Sequence, residues 1–393
     1  MFKHAARGPA WTAALFGSTV VVLGLPRAAA AAGPEPGKLL VYYGYPSAVN
    51  ATFTVPLAAE QFGAYDHVIL GDGLQDGPAD PNPHPDHQNT IDIMAHPAAA
   101  NARFHGYIDI GVTTQSLDIG EIERRVDAWE AMGVDGIFLD DYGYDFGTTR
   151  ERQNTVVEYV HSRGLPATAN GFFVDDVFGQ VVHANNPGGL PTSLAPDDFY
   201  FFESHQVSEA SVVAPSAWYA KAERIRMYQV DIGFGVLSVT TNNALNAYDA
   251  ANFFYSWHSA ALYGHVATGW GEYLFSASGV SNSLAPFRAR PKVTPGSAFA
   301  GQVVVAGSRF TRATDAGLLF VDAFTRGFGF VPADAPDADQ DGVADLLDAC
   351  GDTPAGTPVD AAGRPVGDID RDCDVDLDDF RLLQQSFTGL LQL

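Results

Sequence analysis

The stretch GVDGIFLDDYGYDFG, which spans Gly133–Gly147, decides the fold. Its centre, Gly136–Leu139, is a short apolar run typical of a strand buried on both faces. A helix is predicted just before it, over Ile119–Met132, and the apolar run ends in Asp140 and Asp141. A helix, a turn, a buried strand and acids at the carboxyl end of that strand are the layout of an α/β-barrel active site. The alternative is that the two acids cap the following loop or helix. Acids at the end of an apolar strand, however, cost free energy unless they are solvated or take part in a functional site.

Seven further strands are predicted, and they alternate with helices. In chain order they are Leu39–Tyr45, Tyr65–Gly71, Arg103–Gly111, Ala167–Gly171, Asp197–Glu203, Arg224–Gly235 and Thr268–Leu274. Eight strand–helix steps within residues 38–331 predict an α/β fold, a (β/α)8 TIM barrel of the usual ~250 residues. Val303–Val331 alternates like antiparallel strands, which predicts a small β addition. A doubly wound open sheet is the rival, but no glycine-rich phosphate-binding sequence follows the first strand.

The charge and the first residues of the chain restrict where the protein acts. The formal net charge of −25 excludes a nucleic-acid partner, because such partners need a basic surface. Residues 1–32 have a basic start, an apolar segment over Trp11–Leu25 and small residues after it, which is the pattern of a secretory signal peptide. A retained anchor is the alternative, but the segment is shorter than the ~20 residues of a membrane span. The sequence therefore predicts a secreted or bacterial cell-surface protein without a membrane span after signal removal.

Acidic side chains follow several of the predicted strands. Because all strands of a barrel end on the same face, these acids are expected to converge: Asp109, Asp140, Asp141, Glu203, Asp231 and Glu272. Cleavage of a glycosidic bond requires one protonated carboxyl and one ionised carboxylate, and crowding of acids raises the pKa of one of them. The predicted substrate-binding residues are Tyr43, Asp109, Tyr142, Asn170, Asp231, Trp270 and Glu272. For the aromatic residues, core packing is the alternative role.

Two motifs resemble a known family. GIFLDDYG at Gly136–Gly143 and DFYFFES at Asp198–Ser204 are similar to the spherulin-4-like glycoside hydrolases and, more distantly, to the endo-α-1,4-polygalactosaminidases. The resemblance implies a (β/α)8 barrel, the catalytic carboxylates Asp140, Asp141 and Glu203, and a galactosamine-containing, galactosaminogalactan-like polysaccharide as substrate. It implies no cofactor for catalysis. This chain has Asp141 where the family has Glu, which shortens that side chain.

Two other functions remain open because of this departure. One is a catalytically inactive barrel that binds carbohydrate at the cell surface and is attached through the tail of the chain. The other is a purely structural, Ca²⁺-dependent attachment protein. Release of reducing ends from polysaccharides separates the enzyme from both, and retention without cleavage separates the binder from the attachment protein.

The tail from Val331 onward contains 15 aspartates, no glutamate and three arginines, so it carries nearly half of the net negative charge. Residues 334–360 contain acids at positions 1, 3, 5, 9 and 12 of a loop with Gly342 at position 6, which is the spacing of a Ca²⁺-binding loop. This segment resembles a thrombospondin type 3 repeat. Its predicted ligands are Asp337, Asp339, Asp341, the Val343 carbonyl, Asp345 and Asp348.

Residues 366–393 resemble a dockerin half-repeat. The predicted Ca²⁺ ligands are Asp368, Asp370, Asp372, the carbonyl of Asp374, and Asp379. Cys373 stands at position 6, where Gly normally permits the sharp turn, and a disulfide to Cys350 would hold the loop. With one half-repeat visible, a Ca²⁺-stiffened attachment to a cell-surface partner is favoured over binding of a cohesin-like partner. The alternative for the whole tail is a solvated, disordered acidic segment.

Overall fold

Eight parallel strands close into a barrel in the computed structural model, which describes residues 33–243, 248–277, 284–360 and 362–388. The predicted signal peptide, residues 1–32, lies outside the described residues. The strands follow one another around the barrel in chain order, and the last pairs with the first at Ala267 and Gly37. They are β1 (Gly37–Tyr42), β2 (His67–Leu70), β3 (Arg103–Asp109), β4 (Gly136–Asp140), β5 (Ala167–Ala169), β6 (Phe199–Phe202), β7 (Gly235–Thr240) and β8 (Ala267–Trp270). The predicted TIM barrel is therefore confirmed.

A helix follows each of the first seven strands and covers the outside of the barrel. These helices are α1 (Val55–Phe62), α2 (His87–Met94), α3 (Ile119–Met132), α4 (Arg150–Ser162), α5 (Val174–Phe178), α6 (Pro215–Ile232) and α7 (Ala250–Tyr263). The predicted bounds of α3 are those observed, because Asp118 accepts the Glu121 N–H at its start and Gly133 adopts φ +90° at its end. Within the described residues, no helix combines the length and apolar character needed to cross a membrane.

Alternation along the strands builds two separate apolar layers. Phe138 of β4 points into the barrel, where it packs with residues such as Phe201 and Leu237. Its neighbours Ile137 and Leu139 point outward into the layer beneath the helices. Successive side chains on a strand face opposite sides, so any residue two positions after an inward-facing one also faces the barrel axis.

The predicted seventh strand is wrong. Residues 215–232 form α6, and the strand begins only at Gly235. Trp218, Ala222 and Ile225 are buried along one face of the helix, at the i, i+4, i+7 spacing that a helix requires. Pro215 begins this helix, and Gly233 ends it with φ +92°.

The chain beyond the barrel forms a small antiparallel sheet and an acidic tail. The sheet contains β9 (Val304–Ala306), β10 (Arg309–Ala313), β11 (Gly317–Asp322) and β12 (Phe328–Pro332). It packs on α7 through Leu319, which lies in one cluster with Trp257 and Ala261. The tail contacts the sheet where Arg309 Nη1 donates to the Leu347 carbonyl at 2.9 Å, and it ends in α8 (Leu377–Thr388).

Candidate active site

The inward-facing side chains at the carboxyl ends of the strands form the candidate site. The residue pairs Phe138/Asp140 and Phe201/Glu203 each share one face of a strand, and the first member of each lies inside the barrel. Asn170 lies two positions after Thr168 of β5, so the two side chains share one face of the chain. The sequence therefore directs these two carboxyls and one amide toward the barrel axis at the same end.

Asn170 holds the two carboxyl groups together. Its Nδ2 donates to Asp140 Oδ1 at 2.8 Å and to Glu203 Oε2 at 2.9 Å. Two oxygens bonded to one nitrogen are no farther apart than the sum of these distances. The two bonded oxygens therefore lie closer together than the ~6.5–9.5 Å that separates the carboxyl groups of inverting pairs, which favours the shorter separation of retaining glycosidases.

Burial raises the pKa of both acids, but their hydrogen bonds differ. Asp140 accepts hydrogen bonds from the Tyr107 hydroxyl, the Asp141 backbone N–H and Asn170, and these oppose the rise by stabilising the ionised form. For Glu203, the opposing effects are the hydrogen bond from Asn170 and the charge of Lys221. The extra donors make Asp140 the better carboxylate of the pair and leave Glu203 as the better proton carrier. Tyr43 faces the same acids, and burial together with their charges raises its pKa well above the usual value.

Asp141 belongs to a second group of acids. β4 ends at Asp140, and Asp141 adopts a left-handed backbone conformation with φ 53°. Asp141 therefore lies outside the regular strand, and its side chain need not point to the side opposite that of Asp140. The Asp141 carboxyl hydrogen-bonds Thr114 and Asp109. Burial, followed by the charge of Asp140, raises the pKa of Asp141 to about 7. Asp109 is itself fixed by the Gly111 N–H at 2.7 Å and by Thr114 Oγ1 at 2.8 Å.

Two cavities meet at Glu203. The first, which we call the Lys221 cavity, measures about 430 Å³ and lies beside Phe172, Phe173 and Lys221. The second, which we call the polar cavity, measures about 710 Å³ and is lined by residues that include Tyr43, Thr241 and Glu272. Glu203, Ser204 and Ser208 line both, so a chain of sugars could cross Glu203 from one cavity to the other.

Several predicted substrate-binding residues lie elsewhere. Asp231 is exposed on α6, because the predicted strand there is a helix, so it does not join the site. Tyr142 is fully buried in the outer apolar layer and does not face the cleft, since its position after Asp141 directs it behind the barrel. Trp270 is buried in a cluster with Val207 and Phe253. Glu272 lines the polar cavity and forms an ion pair with Arg288 at 2.6 Å.

Tyr107 and Lys221 are site residues that the sequence analysis missed. Tyr107 lies two positions before Asp109, so the alternation of β3 indicated that it faces the barrel axis. Lys221 lies on α6, whose existence was not predicted, and no local pattern indicates that it lines the cavity beside Glu203.

The two acidic loops of the tail have the same internal geometry. In the first, the Gly342 N–H donates to Asp337 Oδ2 at 3.0 Å, and in the second the Cys373 N–H donates to Asp368 Oδ2 at 3.2 Å. In both loops this bond joins positions 1 and 6. Cys373 has φ 76°, the left-handed conformation expected for that position, and a disulfide joins it to Cys350.

The donor set of the first loop fits a hard cation such as Ca²⁺. Asp339, Asp341 and Asp348 each have one buried carboxylate oxygen without a hydrogen-bond partner among the described residues, and the carboxylates of Asp337, Asp339 and Asp341 converge. The second loop brings together Asp368, Asp370 and Asp379, and also Asp374, Asp376 and Asp379. In that loop Asp379 already accepts the backbone N–H groups of Ile369, Asp370 and Asp376.

Comparisons with known proteins identify no family. No protein-family model matches the chain, and no curated protein matches it. Among solved structures, it is similar to the glycoside hydrolase domain of PelA from Pseudomonas aeruginosa, with 11% identity, a TM-score of 0.37, and coverage of 60% of this chain and 95% of that one. It is also similar to alpha-galactosidase I from Mortierella vinacea, with 10% identity, a TM-score of 0.42, and coverage of 75% and 82%.

A protein of a different class has a similar TM-score to this chain. The carboxyl transferase domain of pyruvate carboxylase from Rhizobium etli is 9% identical, with a TM-score of 0.38 and coverage of 64% of this chain and 45% of that one. Structural likenesses of this level assign no function to the chain.

Proposed function

We propose that the barrel is a retaining glycoside hydrolase that acts on a polysaccharide. The observation that carries this proposal is the pair Asp140 and Glu203, whose bonded oxygens one amide holds closer together than the separation of an inverting pair. The open cavities on both sides of Glu203 fit a substrate that continues in both directions from the cleaved bond.

The hydrogen bonds assign the roles of the two acids. Asp140, held ionised by three donors, attacks the anomeric carbon and forms a covalent glycosyl ester, while Glu203 gives its proton to the departing oxygen. Glu203 then takes a proton from water, whose oxygen displaces Asp140 and restores the original anomeric configuration. Asn170 orients both carboxyls throughout and keeps their separation fixed.

An amino-sugar-containing, galactosaminogalactan-like polymer is the proposed substrate, on the resemblance of the two strand motifs. Glu209 of the polar cavity, together with Asp109 and Asp141 near Asp140, gives the surroundings a negative character that suits ammonium groups. We also propose that the protein is exported, on the sequence of residues 1–32.

Reducing-end release from a panel of polysaccharides tests the function. The panel contains galactosaminogalactan, its deacetylated form, neutral galactan and chitosan. Nuclear magnetic resonance of the first product should show the same anomer as the substrate linkage. Absence of cleavage throughout the panel, or a product of inverted configuration, contradicts the proposed mechanism.

A catalytically inactive carbohydrate-binding barrel is the second candidate, and Asp141 favours it because the resembled family has Glu there. The substitution Asp141→Glu tests this alternative. Gly111 packs tightly against Asp141, since a Cβ on Gly111 would lie only 2.8 Å from the Cβ of Asp141. The Asp141 carboxyl contacts Asp109 and Thr114. A longer side chain must displace that carboxyl, so we expect an active wild type to lose up to ~10²-fold in kcat/KM. An inactive wild type that gains activity through this substitution would establish the binder.

We propose that the tail binds Ca²⁺ and serves as an attachment module for a cell-surface partner. The orphaned oxygens of Asp339, Asp341 and Asp348 would hold the ion in the first loop, and the ion would offset the repulsion among these carboxylates.

Removing Ca²⁺ should loosen residues 331–393 while the barrel remains folded, because metal binding contributes to the folding of such loops. Limited proteolysis of the full chain with Ca²⁺ or with a chelator measures this effect. Asp341→Asn should abolish the protection by Ca²⁺, whereas Asp352→Asn, an exposed acid outside both loops, should leave it intact. Equal resistance with Ca²⁺ and with chelator would exclude a structural Ca²⁺ site in the tail.

A further inference from the structure

The Lys221 cavity contains a positive charge that no group in the described part of the chain neutralises by direct contact. The Lys221 side chain is half-buried, and among the described residues its ammonium forms no ion pair or hydrogen bond with a carboxylate. Aromatic rings lie beside the ammonium, with Nζ 4.8 Å from the centroid of Phe202 and 5.1 Å from that of Phe172. Aromatic rings attract a cation through their quadrupole but carry no net negative charge. A cation that faces the cavity without a counter-charge in contact with it favours a ligand that supplies one.

The other charged groups around the cavity do not supply it. Glu203 lies beyond ion-pair distance and accepts a hydrogen bond from Asn170. If Glu203 carries the proton that it gives to the leaving group, it is neutral when substrate binds. Asp175 already pairs with Arg224 at 2.6 Å, and Arg224 itself adds positive charge at the cavity rim.

The walls of the cavity suit a sugar ring. Phe172 and Phe173 are 66% and 53% exposed and present their rings to the opening, where the apolar face of a pyranose can stack. Burial lowers the pKa of Lys221 to about 8, so the ammonium remains mostly protonated below neutral pH. The cavity thus combines stacking surfaces with a cation that donates hydrogen bonds and accepts none.

We propose that the Lys221 cavity binds a sugar that carries an anionic group, the carboxylate of a uronic acid or a sulfate ester, and that Lys221 determines this specificity. The inference rests on the proposed function, since it takes Glu203 as the proton donor. The acids of the polar cavity and the cation of the Lys221 cavity then make the cleft complementary to a heteropolymer, with an amino sugar on one side of the cleaved bond and an acidic sugar on the other.

Equilibrium binding to the full-length Asp140→Asn protein tests the inference without turnover. The probes are oligosaccharides of equal length: tetragalacturonate, sulfated galactotetraose, neutral galactotetraose and tetragalactosamine, each titrated calorimetrically at pH 6. We expect an anionic probe to bind at least ~10-fold more tightly than neutral galactotetraose, since a charged hydrogen bond is worth about that factor. The two anionic probes distinguish carboxylate from sulfate ester.

Two variants isolate the charge of Lys221. Lys221→Met keeps the length and apolar stem and should remove the preference for the anionic probe, whereas Lys221→Arg keeps the charge and should retain it. Equal binding of neutral and anionic probes, or a preference that survives Lys221→Met, overturns the inference. Anionic preference in a protein that cleaves no polysaccharide contradicts only the proposed function, and cleavage without this preference contradicts only the inference.

Discussion

Replacing Asp140 with asparagine or Glu203 with glutamine should lower glycosidase activity by ~10²–10⁴-fold or more, because each change removes one of the two groups that the double displacement needs. The amides have nearly the same shape as the acids, so the thermal midpoint should remain within a few degrees of that of the wild type. Initial rates of reducing-end release and thermal unfolding, measured on the same preparations, check both expectations.

The controls separate catalysis from general damage. Asp231→Asn removes an exposed acid from α6, outside the site, and should keep full activity. Asn170→Ala leaves both acids in place but removes the amide that joins them, so it should lose activity while retaining an acid and a nucleophile. Activity that persists in both Asp140→Asn and Glu203→Gln would refute the assignment of the catalytic pair.

The barrel was predictable because parallel strands buried on both faces are apolar runs, and such runs are visible without any knowledge of packing. The seventh strand was misplaced because Arg224–Ile232 also alternates apolar and polar residues over a short distance. The helical pattern becomes clear only when Trp218 and Ala222, which lie before that segment, are included. The structure of this segment is decided by the tertiary packing of the whole helix face and not by a local preference within Arg224–Ile232.

The candidate site was predictable to the extent that strand ends determine it. Asp140 and Glu203 follow inward-facing residues of β4 and β6, so the shared face of the barrel brings them together. Tyr142 was assigned wrongly, because the left-handed backbone of Asp141 changes the direction of the chain after the strand. Lys221 reaches the cavity from a helix outside the barrel, and only the packed structure reveals such a position.

The buried histidines should each destabilise the fold when the pH falls from about 6.5 toward 4. Five buried histidines have pKa values lowered by burial: His67 and His258 to about 4, His265 to about 3, and His105 and His205 well below the usual value. In the unfolded chain each returns to a pKa of ~6.5 and binds a proton that the folded state excludes. His67 and His105 also contact each other, with ring nitrogens 3.0 Å apart, so protonating both would place two charges together.

The sign and the size of this effect follow from proton linkage. Because the unfolded state binds more protons between these pH values, the free energy of unfolding rises with pH there, and His67 alone accounts for ~3 kcal/mol by pH 4. The raised pKa values of Asp140, Asp141 and Glu203 act in the opposite direction, since these acids bind protons more readily in the folded state. Asp176, Glu272 and His161 also have raised pKa values and act in the same direction as these acids, so the contribution of the histidines must be separated from the total slope with a variant.

Urea unfolding at a series of pH values measures the slope, and one variant attributes it to a histidine. His258 hydrogen-bonds the Phe254 carbonyl through Nδ1, while its Nε2 is buried without a partner among the described residues. In His258→Asn, the side-chain amide can replace the Nδ1 hydrogen bond but cannot take up a proton. The slope should therefore fall by up to ~1.4 kcal/mol per pH unit, whatever the change in absolute stability. A variant whose slope equals that of the wild type would show that His258 is not kept neutral by the fold.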